Sequence, residues 1–120
     1  SDKTKQFGFI MHTKDNKKIV CCGDEPMVSD IFEKAYGCDW LMHEAFCLYS
    51  ERDIFKPYQK FHSTVKDACE IAQKLDVKNL ILYHSEDTHL DNRKELYSFE
   101  GKQYYNGNLC IPFDGESIEI

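Results

Sequence analysis

The chain has 120 residues and a mass of 14.1 kDa, a size that allows one domain and hardly two. Hydrophobic residues make up 42% and charged residues 30%, which is typical of a soluble globular domain and excludes a disordered or low-complexity chain. The net charge of −6 argues against non-specific binding to nucleic acid or to an anionic membrane. It does not exclude an enzyme that meets phosphate groups through bound metal ions.

The sequence contains neither a membrane span nor a disulfide framework. Apolar runs such as Leu80–Tyr83 are far shorter than the roughly 20 residues of a spanning helix, and no secretory signal is visible. The six cysteines include no Cys-x-x-Cys, and their spacing fits neither a zinc ribbon nor a disulfide scaffold. We therefore expect reduced thiols, most of them buried, in a cytoplasmic protein.

The first half of the chain predicts two strands, a helix and a third strand. Alternating hydrophobicity in residues 6–13 and the apolar run 18–22 predict a hairpin. A helix is expected from Pro26 to about Tyr36, where apolar residues recur at helical spacing and Gly37 is typical of a C-terminal cap. A short buried strand, 40–42, follows and leads into His43 and Glu44.

The second half predicts two helices that alternate with strands. Residues 46–61 are expected to be irregular, with one helical turn. Ser63 or Thr64 is expected to cap a helix, and Thr64 and Asp67 have the spacing of a capping box. The helix is predicted to run to Leu75 with one apolar face, formed by Val65, Ala68, Cys69, Ala72 and Leu75. A strand at 77–83, a helix from Asn92 to about Tyr105, and short strands at 109–111 and 117–120 complete the pattern. Strands separated by helices indicate an α/β domain with a layered sheet.

Polar residues follow three of the predicted strands directly. Asp24 follows the second strand, His43 and Glu44 end the third, and His84 ends the strand at 77–83. Strands joined by helical crossovers are normally parallel, so these ends should share one edge of the sheet, where ligands of such sheets bind. Imidazole and carboxylate groups are ligands for zinc, manganese or iron. The sequence therefore predicts a metal site at this edge.

His62 adds a fourth group, because it precedes the N-terminus of a predicted helix. Free backbone N–H groups and the helix dipole favour an anion there, so His62 could hold a phosphate oxygen or give a proton to a leaving group. Structural interpretations stay open for each residue alone: a strand-end carboxylate is often a turn former, and a buried histidine is often only a satisfied polar group. His12 and His89 are interpreted as solvated residues.

Four short motifs, in this order, carry a resemblance to a known family. They are Gly23-Asp24, His43-Glu44-Ala45, His62-Ser63-Thr64 and Tyr83-His84-Ser85. They resemble the C-terminal half of metallo-β-lactamase-fold hydrolases, in particular the ribonuclease Z-like branch. The resemblance implies half of an αββα sandwich: one mixed sheet with helices packed on one face. It also implies that residues 1–120 form a single partial domain.

The resemblance assigns a role to each of these side chains. Asp24 and His84 match metal ligands of a site that holds two zinc ions, with manganese or iron as alternatives. His62 matches the histidine that contacts the scissile phosphate and assists the leaving group. Glu44 and His43 match a supporting pair, and we place Glu44 with His62 in the catalytic machinery. The implied function is metal-dependent hydrolysis, by metal-activated hydroxide, of a phosphodiester such as RNA.

Three departures from the family pattern leave alternatives open. Glu25 and Phe46 stand where the family motifs have Thr, and no His-x-His-x-Asp-His cluster occurs in these residues. We therefore expect that a missing N-terminal half or a second copy, as in a homodimer, covers an exposed face of the sheet. No membrane partner is expected. The alternatives are an inactive binding or assembly module, and a hydrolase of esters, thioesters or lactones.

Overall fold

Five strands form one mixed β-sheet within the part of the chain that the structure describes. This structure is a computed structural model, and it describes residues 9–22, 33–60, 62–83, 85, 86, 89, 91–112 and 115–120. The strands lie side by side in chain order: β1 (Phe9–His12), β2 (Lys18–Cys21), β3 (Trp40–Glu44), β4 (Asn79–Tyr83) and β5 (Asn108–Cys110). β1 pairs with β2 antiparallel, and β2 to β5 are parallel. The predicted α/β class is confirmed.

Three α-helices and two short 3-10 helices lie wholly within the described part of the chain. The α-helices are α1 (Arg52–Phe55), α2 (Val65–Lys74) and α3 (Arg93–Gly101), and the 3-10 helices are Tyr49–Glu51 and Pro57–Lys60. The region predicted to be irregular with a helical turn thus contains α1 between the two 3-10 helices. Of the helix predicted from Pro26 to Tyr36, the described residues 33–35 are helical.

The helices pack on one face of the sheet, as predicted. The main core on this face joins strand residues such as Val20, Leu41 and Leu80 to Ala68 and Ala72 of α2. The opposite face carries a smaller cluster, formed by Ile19, Trp40 and Ile81, with Met42, Cys110 and Ile118 packed against it. The alternation of side chains along each strand therefore divides the apolar residues between two faces, of which the helices cover one.

The sequence fixes the start of α2 through a complete capping box. The side chain of Thr64 accepts the backbone N–H of Asp67, while the Asp67 carboxylate accepts the backbone N–H of Thr64 at 2.9 Å. This satisfies donors that a helix N-terminus leaves without intrahelical partners. The helix then buries Val65, Ala68, Cys69 and Ala72 along one stripe. The predicted capping residue and the apolar face are both confirmed.

The structure explains why glycine occupies two positions, 37 and 101. Gly37 has a φ of 67°, and its N–H donates to the carbonyl of Leu75 at 2.7 Å, so it ends its helical segment in the left-handed conformation predicted for a cap. Gly101 is the last residue of α3, where a Cβ atom would lie 2.6 Å from Leu109 and 3.0 Å from the Cys69 sulfur. Close packing of α3 against α2 and β5 therefore requires glycine at position 101.

One predicted strand is wrong, and other boundaries differ from the predictions. Residues 117–120 form no strand; instead Ile118 packs against the smaller apolar cluster. The terminal segment uses its apolar side chain to cover the sheet face and adds no hydrogen-bonded ladder at an edge. The helix expected to reach Tyr105 ends at Gly101, as α3. No helix among the described residues is long and apolar enough to cross a bilayer.

The cysteines give a direct test of this core. All six are free: Cys22, Cys38, Cys47 and Cys69 are buried, whereas Cys21 and Cys110 are half-buried. Burial raises the pKa of Cys38 to about 11 and that of Cys22, Cys47 and Cys69 to about 12. Because the thiolate is the reactive form, these four thiols should react only when the protein unfolds.

With a thiol reagent at pH 7, we expect no more than two fast-reacting thiols in the folded protein and all six in denaturant. The double substitution Cys21→Ser and Cys110→Ser should remove the fast phase and leave four thiols that react after unfolding. Fast labelling that persists in the double variant would show that the core is open.

Candidate functional site

The centre of the candidate site is a hydrogen-bonded pair, Glu44 and His62. Nδ1 of His62 lies 2.7 Å from Oε1 of Glu44, and the backbone N–H of Ser63 donates to Oε2 at 2.8 Å. The Glu44 side chain is completely buried, whereas that of His62 is 22% exposed. A carboxylate only accepts hydrogen bonds, so the imidazole nitrogen that faces it is the protonated one. The buried carboxylate therefore orients a histidine that reaches solvent.

Backbone pairing between two segments holds this pair in place. The N–H of Phe46 donates to the carbonyl of Ser63 at 2.8 Å, and the N–H of Val65 donates to the carbonyl of Cys47 at 3.0 Å. Residues after β3 thus run beside the residues that open α2, and Cys47 and Thr64 form a parallel bridge. The backbone N–H of His62 donates to the carbonyl of Pro57 at 2.9 Å, which ties it to the second 3-10 helix.

The ring of Phe46 stacks on the imidazole of His62. Their centroids are 4.7 Å apart, with an angle of 22° between the planes. Phe55 of α1 meets Phe46 edge to face, with the centroids 6.3 Å apart and the planes at 86°. An aromatic ring thus lies along one face of the candidate functional histidine, at the position where the resembling family has Thr.

His43 is buried and contacts the backbone of Glu44. Successive strand residues point to opposite faces, which separates the two side chains. Nδ1 of His43 lies 2.8 Å from the Glu44 carbonyl oxygen and therefore donates to it. Burial lowers the pKa of His43 from its ordinary value, a change only partly opposed by this bond and by the charge of Asp67. His43 is consequently a neutral side chain that holds the end of β3.

The two predicted metal ligands, Asp24 and His84, lie outside the described residues, as does Glu25. The strands that lead to them are described: β2 and β4 flank β3 on its two sides, and all three run parallel. The carboxyl ends of β2 and β4 therefore share one edge of the sheet with Glu44. This arrangement of strands agrees with the sequence prediction, whereas the ligand roles stay predictions.

The structure also contains a carboxylate–imidazole cluster that the sequence analysis missed. Ligand atoms of Glu51, Glu86 and His89 all lie within 4.8 Å of one another, and Nε2 of His89 lies 2.8 Å from Oε1 of Glu51. His89 was expected to be solvated, yet its side chain is only 21% exposed. Positions 51 and 89 are far apart in the sequence and only the fold brings them together, so no local sequence pattern indicates this contact. His12, in contrast, is exposed on β1, as expected.

Comparison with solved structures identifies the fold. No family model matches the chain. The metallo-β-lactamase-fold protein YhfI from Bacillus subtilis superimposes with a TM-score of 0.69 at 18% identity, over 91% of this chain and 42% of that one. The short form of human tRNase Z superimposes with a TM-score of 0.68 at 25% identity, over 95% of this chain and 39% of that one. The protein therefore has a partial metallo-β-lactamase fold.

Sequence comparison then specifies the branch of that fold. Ribonuclease Z of Pyrococcus abyssi is 34% identical over 113 residues, which cover 89% of this chain and 32% of the relative. Ribonuclease Z of Bacillus subtilis is 32% identical over 112 residues, 93% of this chain and 31% of the relative. The chain thus spans about a third of the length of these curated relatives. Its fold is ribonuclease Z-like, which confirms the resemblance seen in the motifs.

The lowered pKa of His43 predicts a pH-dependent stability. Above the pKa of the histidine in the unfolded chain, about 6.5, His43 is neutral in both the folded and the unfolded protein. In this range its protonation does not lower the free energy of unfolding. Below that pKa, the unfolded state binds the proton first, so the free energy of unfolding falls as the pH falls. The maximum slope is about 1.4 kcal/mol per pH unit while only the unfolded state is protonated.

Chemical denaturation at pH 7 and pH 5 tests this expectation. His43→Asn keeps a donor for the Glu44 carbonyl but removes the titrating group, so the variant should lose less stability than the wild type between the two pH values. Equal losses in the two proteins would contradict the assignment of the acid sensitivity to His43.

Proposed function

We propose that this chain is part of a metal-dependent hydrolase of the metallo-β-lactamase superfamily that cleaves a phosphodiester, with RNA as its substrate class. The observation that carries the proposal is the buried Glu44 carboxyl group bound to Nδ1 of His62 at 2.7 Å. Glu44 lies at the edge of the sheet where α/β sheets bind ligands. The similarity to ribonuclease Z supports the substrate class.

His62 is proposed to act on the scissile phosphate and the leaving group. Its Nδ1 is engaged by Glu44, so proton transfer to a substrate would run through Nε2. The Glu44 carboxylate would stabilise the imidazolium form and keep the ring in one tautomer when it is neutral. A protonated Nε2 can donate to a phosphate oxygen and can protonate the departing oxygen. This is general acid catalysis by a histidine whose orientation the fold already sets.

Asp24 and His84 are proposed as ligands of two zinc ions, for which manganese or iron could substitute. The described topology supports this, because β2 and β4 lead to these residues at the edge that carries Glu44. Carboxylate and imidazole suit these metals, but zinc sites normally use three or four protein ligands. This chain would therefore supply only some of the metal ligands. When bound, the ions would supply Lewis-acid activation of the attacking water.

The remaining ligands are proposed to come from a further part of the natural protein or from a second copy. All four residues of β1 are exposed; Phe9 is 52% exposed and Met11 is 47% exposed. Large apolar side chains exposed along one strand mark a surface that another element covers. The same surface supports a homodimer as the second arrangement. RNA would then be held largely by surfaces outside this acidic chain.

Two alternatives predict different outcomes in the same assays. A module that keeps the fold for binding or assembly would hydrolyse neither a phosphodiester nor an ester reporter. A hydrolase of esters, thioesters or lactones would cleave the ester reporter and leave bis(p-nitrophenyl) phosphate intact. The proposed function requires phosphodiester cleavage in the longest natural chain that contains these residues.

Replacement of His62 should separate chemistry from metal binding. In that longest natural chain, we expect His62→Ala to lower kcat by about 10²–10⁴-fold, the usual contribution of a general acid or base, with metal content unchanged. Lys102→Ala, at an exposed position directly after α3, is the control and should retain full activity. Loss of metal in His62→Ala would instead make His62 a ligand.

Metal analysis should show how much of the centre this chain can hold. By inductively coupled plasma mass spectrometry, we expect less than one zinc per chain for residues 1–120, because two ligands bind zinc weakly. The longest natural chain should hold about two, and Asp24→Ala should lower that number and abolish turnover. Two zinc ions on residues 1–120 alone would require ligands beyond Asp24 and His84.

A further inference from the structure

We propose that Phe46 is a positioning residue that fixes the plane of the His62 imidazole. Phe46 stands where the family motif has Thr. The catalytic significance of this position rests on the proposed function, whereas the orientation of the ring does not. Phe46 acts through His62 and is not itself a catalytic residue.

The geometry of the stack supports this role. The centroids of Phe46 and His62 are 4.7 Å apart and the planes differ by 22°, a separation and tilt within the range of stacked rings. The Glu44 carboxyl group binds Nδ1 at 2.7 Å. The hydrogen bond to Glu44 acts within the plane of the imidazole, whereas the Phe46 ring packs on its face and opposes tilting of that plane. The two contacts therefore constrain different motions.

The backbone of Phe46 is held firmly enough to aim its ring. Its N–H donates to the Ser63 carbonyl at 2.8 Å, and its carbonyl accepts the N–H of Glu86 at 2.7 Å. The hydroxyl of Tyr97 lies 3.4 Å from the same carbonyl. The hydrogen bond to Ser63 joins Phe46 to the residue that follows His62. Phe46 and His62 therefore belong to one hydrogen-bonded unit.

Phe55 supports the stacking ring from α1. Its edge-to-face contact with Phe46, with the centroids 6.3 Å apart and the planes at 86°, limits rotation of the Phe46 ring. A Thr side chain at position 46 would have no π face and could not contact the imidazole in this way. The aromatic residue therefore gives this chain a means of orienting His62 that the family motif lacks.

NMR of the imidazole of His62 tests the proposal without any enzymatic assay. In the wild type, we expect upfield-shifted His62 ring protons, from the ring current of Phe46, and at neutral pH a single tautomer with the proton on Nδ1. Phe46→Leu removes the ring and keeps apolar bulk, so it should abolish the upfield shift and broaden the His62 ring signals by exchange between ring orientations, while Glu44 keeps the proton on Nδ1. Phe46→Tyr should restore the wild-type spectrum. Phe46→Met serves if the leucine variant fails to fold.

Phe55→Leu is the matched control, because it removes an aromatic ring of the same cluster that has no stacking contact with His62 in the structure. It should broaden the His62 ring signals less than Phe46→Leu does, because the stacked ring itself remains, while it lowers stability to a similar degree. A general loss of packing would affect both variants equally. Wild-type ring shifts and sharp His62 ring signals in folded Phe46→Leu would overturn the proposal.

Kinetics then distinguish the positioning role from the proposed function. In the longest natural chain, Phe46→Leu should lower kcat by about two- to tenfold with KM unchanged, and Phe46→Tyr should recover it. If His62→Ala leaves activity intact while Phe46→Leu changes the His62 spectrum, the proposed function fails and the positioning stands. If His62→Ala is inactive and Phe46→Leu changes neither spectrum nor kcat, only the positioning fails.

Discussion

The buried carboxyl group of Glu44 is the constraint on which the arrangement of the site depends. Removal of a carboxylate from water is costly, and a protein tolerates it only where hydrogen-bond donors meet both oxygens. Here His62 binds Oε1 at 2.7 Å and the backbone N–H of Ser63 binds Oε2 at 2.8 Å. Because these donors come from residues that immediately precede α2, the end of β3 and the start of that helix are tied together.

This tie explains why the imidazole of His62 reaches the surface in a defined orientation. The capping box of Thr64 and Asp67 fixes the first turn of α2, and the backbone pairs from Phe46 and Cys47 fix the segment beside it. His62 is thus held at its ring nitrogen, at its face and at its backbone, while part of the ring stays exposed. For the role proposed for His62, an orientation that is set in advance would lower the reaction barrier.

The sequence predicts the local elements well and the long-range contacts poorly. The capping residues and apolar stripe of α2 act within a few positions of one another, so their pattern is visible in the chain. The bond between Glu44 and His62 joins residues from a strand and a loop: the sequence places both near one edge, but not at hydrogen-bond distance. The contact of Glu51 with His89 leaves no local signal at all. Residues 117–120 alternate like a strand, yet Ile118 covers the sheet face, because tertiary packing decides between the two outcomes.

The site therefore divides into a part that this chain completes and a part that it does not. The contacts described for His62, with Glu44, Phe46 and the carbonyl of Pro57, all come from this chain, and the main core joins the sheet to α2 and α3. The proposed metal centre, in contrast, would draw on Asp24 and His84, which follow β2 and β4 in the sequence, and would need further ligands to hold zinc tightly. Because the chain spans about a third of the length of its curated relatives, these ligands are proposed to come from a further part of the natural protein or from a second copy.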